Sequence, residues 1–490
     1  MTAERPTTVA PRGEARPPTP PRPSGLPGPR TFTVAFGLVL FLVTTGRWGS
    51  HIGQPGGPLF VSDVVLAVAL AQTAVAVRRR GTRLGDLGRS ARTAHLALLL
   101  TASLLAWVAL RALLGPDEIV GTPLAALRDL APYAYMVVAL VAFLLPVSGG
   151  PPLRQVVYGA LAVHVVWALG APLLPGWPGA WPQLGDAAVF TTRPDFDSAV
   201  FGVAVALALH DLLAPGRAMR SARSAGLVLM VLANGYAITD SATRAGLLSA
   251  LVSVGAVVLA RVLGRSWTSS SPPGWSARGV ALGTAAAFVL VATVGLSPAG
   301  QRIVESVRGD EGSASGTLAA REYTWSGVTR YVLSDARRTA AGVGFGPDFV
   351  TDSGTSFALE GTEYEDVRSP HNYLVGTLAR LGVFGALLAG SVMVAAAGLG
   401  LRVLRSRPDT VSVLAALLVL ALPVPALLGV ILESPFGAIP YFWAVGHLAR
   451  HLQDRRHEES AGDVLPVPVV GALEPVAQPD LGLPAERLDP

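Results

Sequence analysis

The run from His371 to Arg402 reads HNYLVGTLARLGVFGALLAGSVMVAAAGLGLR, with no charged side chain between Leu381 and Leu401. About 20 consecutive apolar residues form a helix long enough to cross the hydrocarbon core of a bilayer. A helix that is apolar on every side must be buried in protein or in lipid. Working outward, further apolar blocks fall at 31–46, 57–77, 93–114, 129–147, 155–175, 198–214, 225–238, 245–263, 279–296, 410–431 and 436–450. The composition agrees: the chain is 51% hydrophobic and 14% charged, where soluble domains carry about 25% charge. The expected fold is therefore all-α, a polytopic transmembrane bundle of about a dozen helices.

The connecting loops test this arrangement. If residue 1 is placed in the cytoplasm and the blocks alternate, the inside loops collect Arg78, Arg79, Arg80, Arg83, Arg89 and Arg92, then Arg154, then Arg217, Arg220 and Arg223, then Arg265 and Arg278, then Arg405 and Arg407. The outside loops 47–56, 115–128 and 176–197 are poor in arginine. This is the charge asymmetry that orients membrane proteins. It predicts a multi-pass protein of the cytoplasmic (inner) membrane with both termini inside. Residues 1–30 and 453–490 are expected to be disordered cytoplasmic tails. Residues 31–296 and 371–452 are expected to hold helices 1–9 and 10–12. The only long polar connection, 297–370, falls outside and is expected to contain short helices.

Several function classes drop out. The chain has no cysteine, which removes disulfides, thiolate catalysis and Cys-ligated metals. A net charge of +5 raises the question of nucleic acid. The arginines, however, lie in short loops between apolar blocks, so topology accounts for them and no nucleic-acid partner is expected.

Chemistry is concentrated in a few outer stretches. In Ser369-Pro370-His371-Asn372, Ser369 is expected to cap a helix, with Pro370 at its first position. His371 then falls in the first turn, where the helix dipole favours a neutral imidazole able to act as a general base; a packing histidine is the bland alternative. Asp240-Ser241-Ala242-Thr243-Arg244 is a short outside turn, with Arg244 opening the next helix. A cation there opposes the helix dipole, a conflict that a bound anion resolves; an arginine reaching lipid headgroups is the other reading. In the long loop Arg321 and Trp325 are four apart and share a helical face. With Val328 and Val332, Trp325 continues an apolar stripe, so this helix is expected to lie against the membrane with Arg321 open to a ligand. Gly342-Val343-Gly344-Phe345-Gly346 suggests a tight turn or a nest for an anion, and the turn is the favoured reading. Arg193-Pro194-Asp195-Phe196-Asp197 offers an acidic pair, but such pairs are common in loops and no metal is assigned. Intramembrane charge looks sparse, with Arg111 and Asp63 near helix ends.

Taken in order, these stretches resemble the O-antigen ligase and O-antigen polymerase superfamily, bacterial membrane proteins acting on polyprenyl-diphosphate-linked glycans. Ser241 to Leu247 is similar to its Ser-Arg-Gly stretch, Arg321 and Trp325 to its loop Arg and Trp, and Gly342–Gly346 to its glycine turn. His371-Asn372 with Leu381-Gly382 and Gly385 is similar to its His-Asn and Gly-x-x-Gly signature. The similarity spans about 240–390. Two residues, Ala242 and Thr243, separate Ser241 from Arg244 where the family often has Ser-Arg adjacent. Asp197-Ser198 stands where the family has Pro-Asn.

The resemblance implies a glycosyltransferase. Its donor would be a glycan on polyprenyl diphosphate and its acceptor a glycan or a lipid-linked glycan, among membrane lipids. His371 would be the base, and Arg244 and Arg321 the diphosphate ligands. Asn372, Ser241, Trp325 and Arg193 would support them, with no cofactor and no obligatory metal. A transporter or flippase of lipid-linked glycans is the alternative; it predicts paired inverted repeats, and none is evident. A scaffold for other envelope enzymes is a third reading, and it predicts that His371 and both arginines tolerate substitution.

Overall fold

The computed structural model describes residues 92–114, 123–144, 151–176, 183–184, 187–188, 194–213, 222–241, 243–263, 313–356, 368–406 and 408–462, with four isolated positions besides. The expected helices at 31–46 and 279–296, nearly all of 57–77, and the tail at 1–30 lie outside the described residues.

The remaining apolar blocks are helices. They are α1 (Arg92–Leu114), α2 (Pro123–Ala134), α3 (Val137–Leu144), α4 (Pro151–Gly170), α5 (Pro194–Leu212), α6 (Ala222–Ser241) and α7 (Arg244–Leu263). The long loop supplies α8 (Ser313–Leu333), α9 (Ala336–Ala341) and α10 (Phe349–Asp352). Then come α11 (Tyr373–Arg405), α12 (Thr410–Ala421), α13 (Pro423–Leu427) and α14 (Pro435–Gly462). A two-residue hairpin, β1 (Gln183–Leu184) against β2 (Ala187–Ala188), does not alter the all-α character. Among the described residues six helical stretches are long and apolar enough to cross a membrane. One of them joins α2 and α3 across a break, and another runs from α12 into α13. The second break precedes Pro423, whose fixed φ suits the first position of a new helix.

The central helix is α12, which is buried on nearly every side and packs against α5, α7, α11 and α14. At the perimeter, Leu99, Leu229, Leu387 and Val394 are exposed. Large apolar side chains can face outward in this way when the surrounding solvent is lipid.

Contacts between helix ends separate the bundle into two poles. At one pole Arg154 pairs with Asp211, Arg223 lies 3.9 Å from the same carboxylate, and Arg455 donates to Ser406 O at 2.7 Å. These residues belong to the segments that the arginine count groups on one side. At the other pole the rings of Phe196 and Phe436 lie 6.4 Å apart, and Ser249 Oγ donates to Ala421 O at 2.9 Å. The candidate site is at this second pole.

Two expectations change here. The apolar stripe of α8 does not lie against the membrane. Val328 and Val332 are fully buried in a small core with Val343, Phe349, Val350 and Ala379 of α11, so the loop folds onto the bundle and covers that face with its own side chains. The run 371–402 is also not one straight helix. Gly382, at φ 70° and ψ −174°, divides α11 into two halves.

The glycine turn explains the break. Val343 N donates to Ala379 O at 2.8 Å and Gly344 N to Arg380 O at 3.1 Å. Trp107 Nε1 donates to Leu381 O at 3.0 Å, and Arg111 Nη2 to Gly342 O at 3.3 Å. The carbonyls orphaned at the end of the first half-helix are thus satisfied. The turn's amides serve the protein and do not form an anion nest. A Cβ on Gly382 would stand 2.3 Å from Ala340 O, in a backbone region open essentially to glycine alone. Gly382→Ala is expected to cost at least about 1–3 kcal/mol, read as a lower melting temperature of the detergent-solubilised protein.

Candidate functional site

The N-terminus of α7 sits in a knot of hydroxyls. Ser241 ends α6 and Arg244 opens α7, as the sequence predicts. Ser198 Oγ lies 2.6 Å from Ser241 Oγ and 2.9 Å from Thr243 Oγ1. Thr243 Oγ1 also lies 3.2 Å from Pro194 O. Arg244 is half-buried and has no hydrogen-bond or ion-pair partner among the described residues. An unpaired guanidinium at the positive end of a helix dipole is a local excess of positive charge.

Arg321 is also half-buried, and its Nη1 donates to the backbone oxygen of Leu428 at 3.0 Å. A carbonyl orients a guanidinium without neutralising it. Leu428 follows α13, and α13 packs on α7, so Arg321 and the helix headed by Arg244 share one short neighbour. One turn further along α8, Trp325 Nε1 donates to Pro370 O at 2.5 Å. The loop helix is thereby pinned to the residue before His371.

The helix start here is corrected. The cap of α11 is Asn372, not Ser369: its Oδ1 accepts from Leu374 N at 3.0 Å and from Val375 N at 3.1 Å. The helix begins at Tyr373, so His371 lies just ahead of the cap rather than in the first turn. It has φ 53°, the one positive value at a non-glycine among the described residues. Such conformations persist only where the surroundings enforce them, and they cluster at functional sites.

A buried charge cluster lies beneath this turn. Arg380 Nη2 is 3.3 Å from Asp129 Oδ1, and Arg380 Nη1 is 3.6 Å from Glu433 Oε2. Arg368 is 3.6 Å from Asp129, and Gly346 N donates to Asp129 Oδ2 at 3.0 Å. Burial pushes the Glu433 carboxyl above its ordinary value, against the pull of Arg380. Buried charge at the membrane pole is thus richer than the sequence reading allowed. The overlooked signal was a single Asp in the apolar run 123–144 and a single Arg within 373–401, since charges inside membrane segments usually mark partners or function.

Trp325 is bonded to Pro370, the residue before His371 and Asn372, with Arg321 one helical turn back along α8. Ser241 and Arg244 lie at the N-terminal end of α7, the helix on which α13 packs. Arg193 lies outside the described residues. Of the acidic pair, Asp197 turns to His164, 3.3 Å away.

The fold is that of a polytopic membrane helix bundle, with six stretches among the described residues long and apolar enough to cross a bilayer. A protein-family profile described as O-antigen ligase matches residues 225–390, the span that carries Arg244, Arg321, Trp325 and His371. This supports the O-antigen ligase superfamily for that region, and with it a membrane glycan ligase or polymerase function. No curated protein sequence matches the chain.

Proposed function

We propose that this protein transfers or polymerises glycan from a polyprenyl-diphosphate carrier at the outer face of the cytoplasmic membrane. The observation that carries the proposal is the bond from Trp325 to Pro370, which ties the helix of Arg321 to the turn of His371. Arg244 and Arg321 bind the donor's diphosphate as it leaves, through bidentate contacts that need no metal. His371 takes the proton from the acceptor hydroxyl as its oxygen attacks the anomeric carbon, and the carbon–diphosphate bond breaks in the same step. A single displacement inverts that carbon. The long loop, folded over this pole, limits the access of water.

The test is the purified full-length protein in nanodiscs with lipid-linked oligosaccharide. Covalent transfer or elongation of the glycan is the expected result. Movement across the bilayer without a new glycosidic bond overturns the proposal in favour of a transporter. Arg244→Ala is expected to raise the donor KM about ten- to a hundredfold, the worth of one or two charged hydrogen bonds. Arg244→Lys is expected to restore only part of the loss, because an ammonium lacks the planar fork.

A further inference from the structure

The turn that carries Arg244 is held by a residue outside the span matched by the family profile. Ser198 is fully buried near the start of α5. Its Oγ contacts Ser241 Oγ at 2.6 Å and Thr243 Oγ1 at 2.9 Å, and it also donates to Pro194 O. Ser241 Oγ also lies 2.9 Å from Ile238 O, an alternative acceptor for its proton. Each hydroxyl carries one proton: with Ser198 donating to Pro194 O, Ser241 and Thr243 can each donate to Ser198 Oγ, and this set joins the start of α5, the end of α6 and the start of α7. Backbone packing below the cluster leaves little play. A Cβ added to Gly246 would fall 2.0 Å from Ser198 Cβ, and one added to Gly202 would fall 2.5 Å from Ala250 Cα. Arg244 has no side-chain partner among the described residues. The space its guanidinium can reach is set by where its backbone is held.

We infer that Ser198 is a positioning residue for donor recognition: it fixes the 241–243 turn so that the Arg244 guanidinium meets the diphosphate. This rests on the transferase reading, in which Arg244 is the diphosphate ligand. Ser198 touches no substrate and acts through Arg244 alone, so its effect disappears when Arg244 is absent.

The experiment measures the affinity of the full-length protein in nanodiscs for farnesyl diphosphate, with farnesol as the probe lacking phosphate. Arg244→Ala is expected to weaken farnesyl diphosphate about ten- to a hundredfold. Ser198→Ala is expected to weaken it about five- to tenfold, and the double variant to match Arg244→Ala. Farnesol affinity stays unchanged throughout. If Ser198→Ala binds farnesyl diphosphate like wild type, or if its penalty persists in the Arg244→Ala background, the positioning role is overturned. If Arg244→Ala itself binds like wild type, the donor-site reading fails instead. Should Ser198→Ala not fold, Thr243→Val removes a second hydroxyl of the same set and is expected to show the same non-additivity with Arg244→Ala.

Discussion

His371→Asn is expected to lower glycan transfer about 10²- to 10⁴-fold, the usual contribution of a positioned general base. Asparagine separates the chemical role from the backbone role. His371 sits at φ 53°, a region that asparagine enters readily and alanine does not. His371→Ala therefore combines loss of the base with strain in the turn ahead of α11. His371→Asn keeps the turn, the Trp325 bond to Pro370 and the Asn372 cap, and removes only the proton acceptor. The two variants are expected to be equally inactive in the lipid-linked oligosaccharide assay, with Asn melting closer to wild type. Both should still bind farnesyl diphosphate, since the arginines are untouched. Transfer by His371→Asn at the wild-type rate rules out the base assignment.

The sequence made different parts of this structure legible to different degrees. Spanning helices are legible because a bilayer demands long apolar runs, and the start of α7 is legible because the polar turn from Asp240 to Arg244 interrupts two such runs. The stretch Ser369-Pro370-His371-Asn372 contains two residues able to cap, and local preference favours the first. The choice falls to the second because Trp325, 45 residues earlier in the chain, binds Pro370 O and His371 at φ 53° lies outside the helical region. The α8 stripe was readable as amphipathic, but periodicity says only that a face is buried, not which surface receives it. Val328 and Val332 go to the loop's own core with Ala379. Asp129 and Arg380 lie 251 residues apart, and no local pattern joins them.

That pair carries the largest expected effect on stability. Arg380→Met should destabilise the protein by about 3–5 kcal/mol, the cost of stranding a buried counter-charge. Asp129 keeps Arg368 at 3.6 Å and the Gly346 amide at 3.0 Å. Glu433, however, has no other cationic partner among the described residues than Arg380, whose Nη1 lies at 3.6 Å. Its carboxyl is already pushed up by burial, and Arg380 is the main force opposing that shift. Without Arg380 the folded protein binds a proton at Glu433 that the unfolded chain releases near its ordinary 4.5. Stability falls with rising pH wherever the folded state holds more protons. The defect in Arg380→Met should therefore be mild near pH 5 and grow toward pH 8, as read by melting of the solubilised protein across that range. Adding Glu433→Gln, which cannot ionise, should flatten the pH dependence and recover part of the loss. A defect of equal size at both ends of the range would mean that Arg380 stabilises by packing, through its stacking on Phe349 at 5.2 Å, and not by neutralising Glu433.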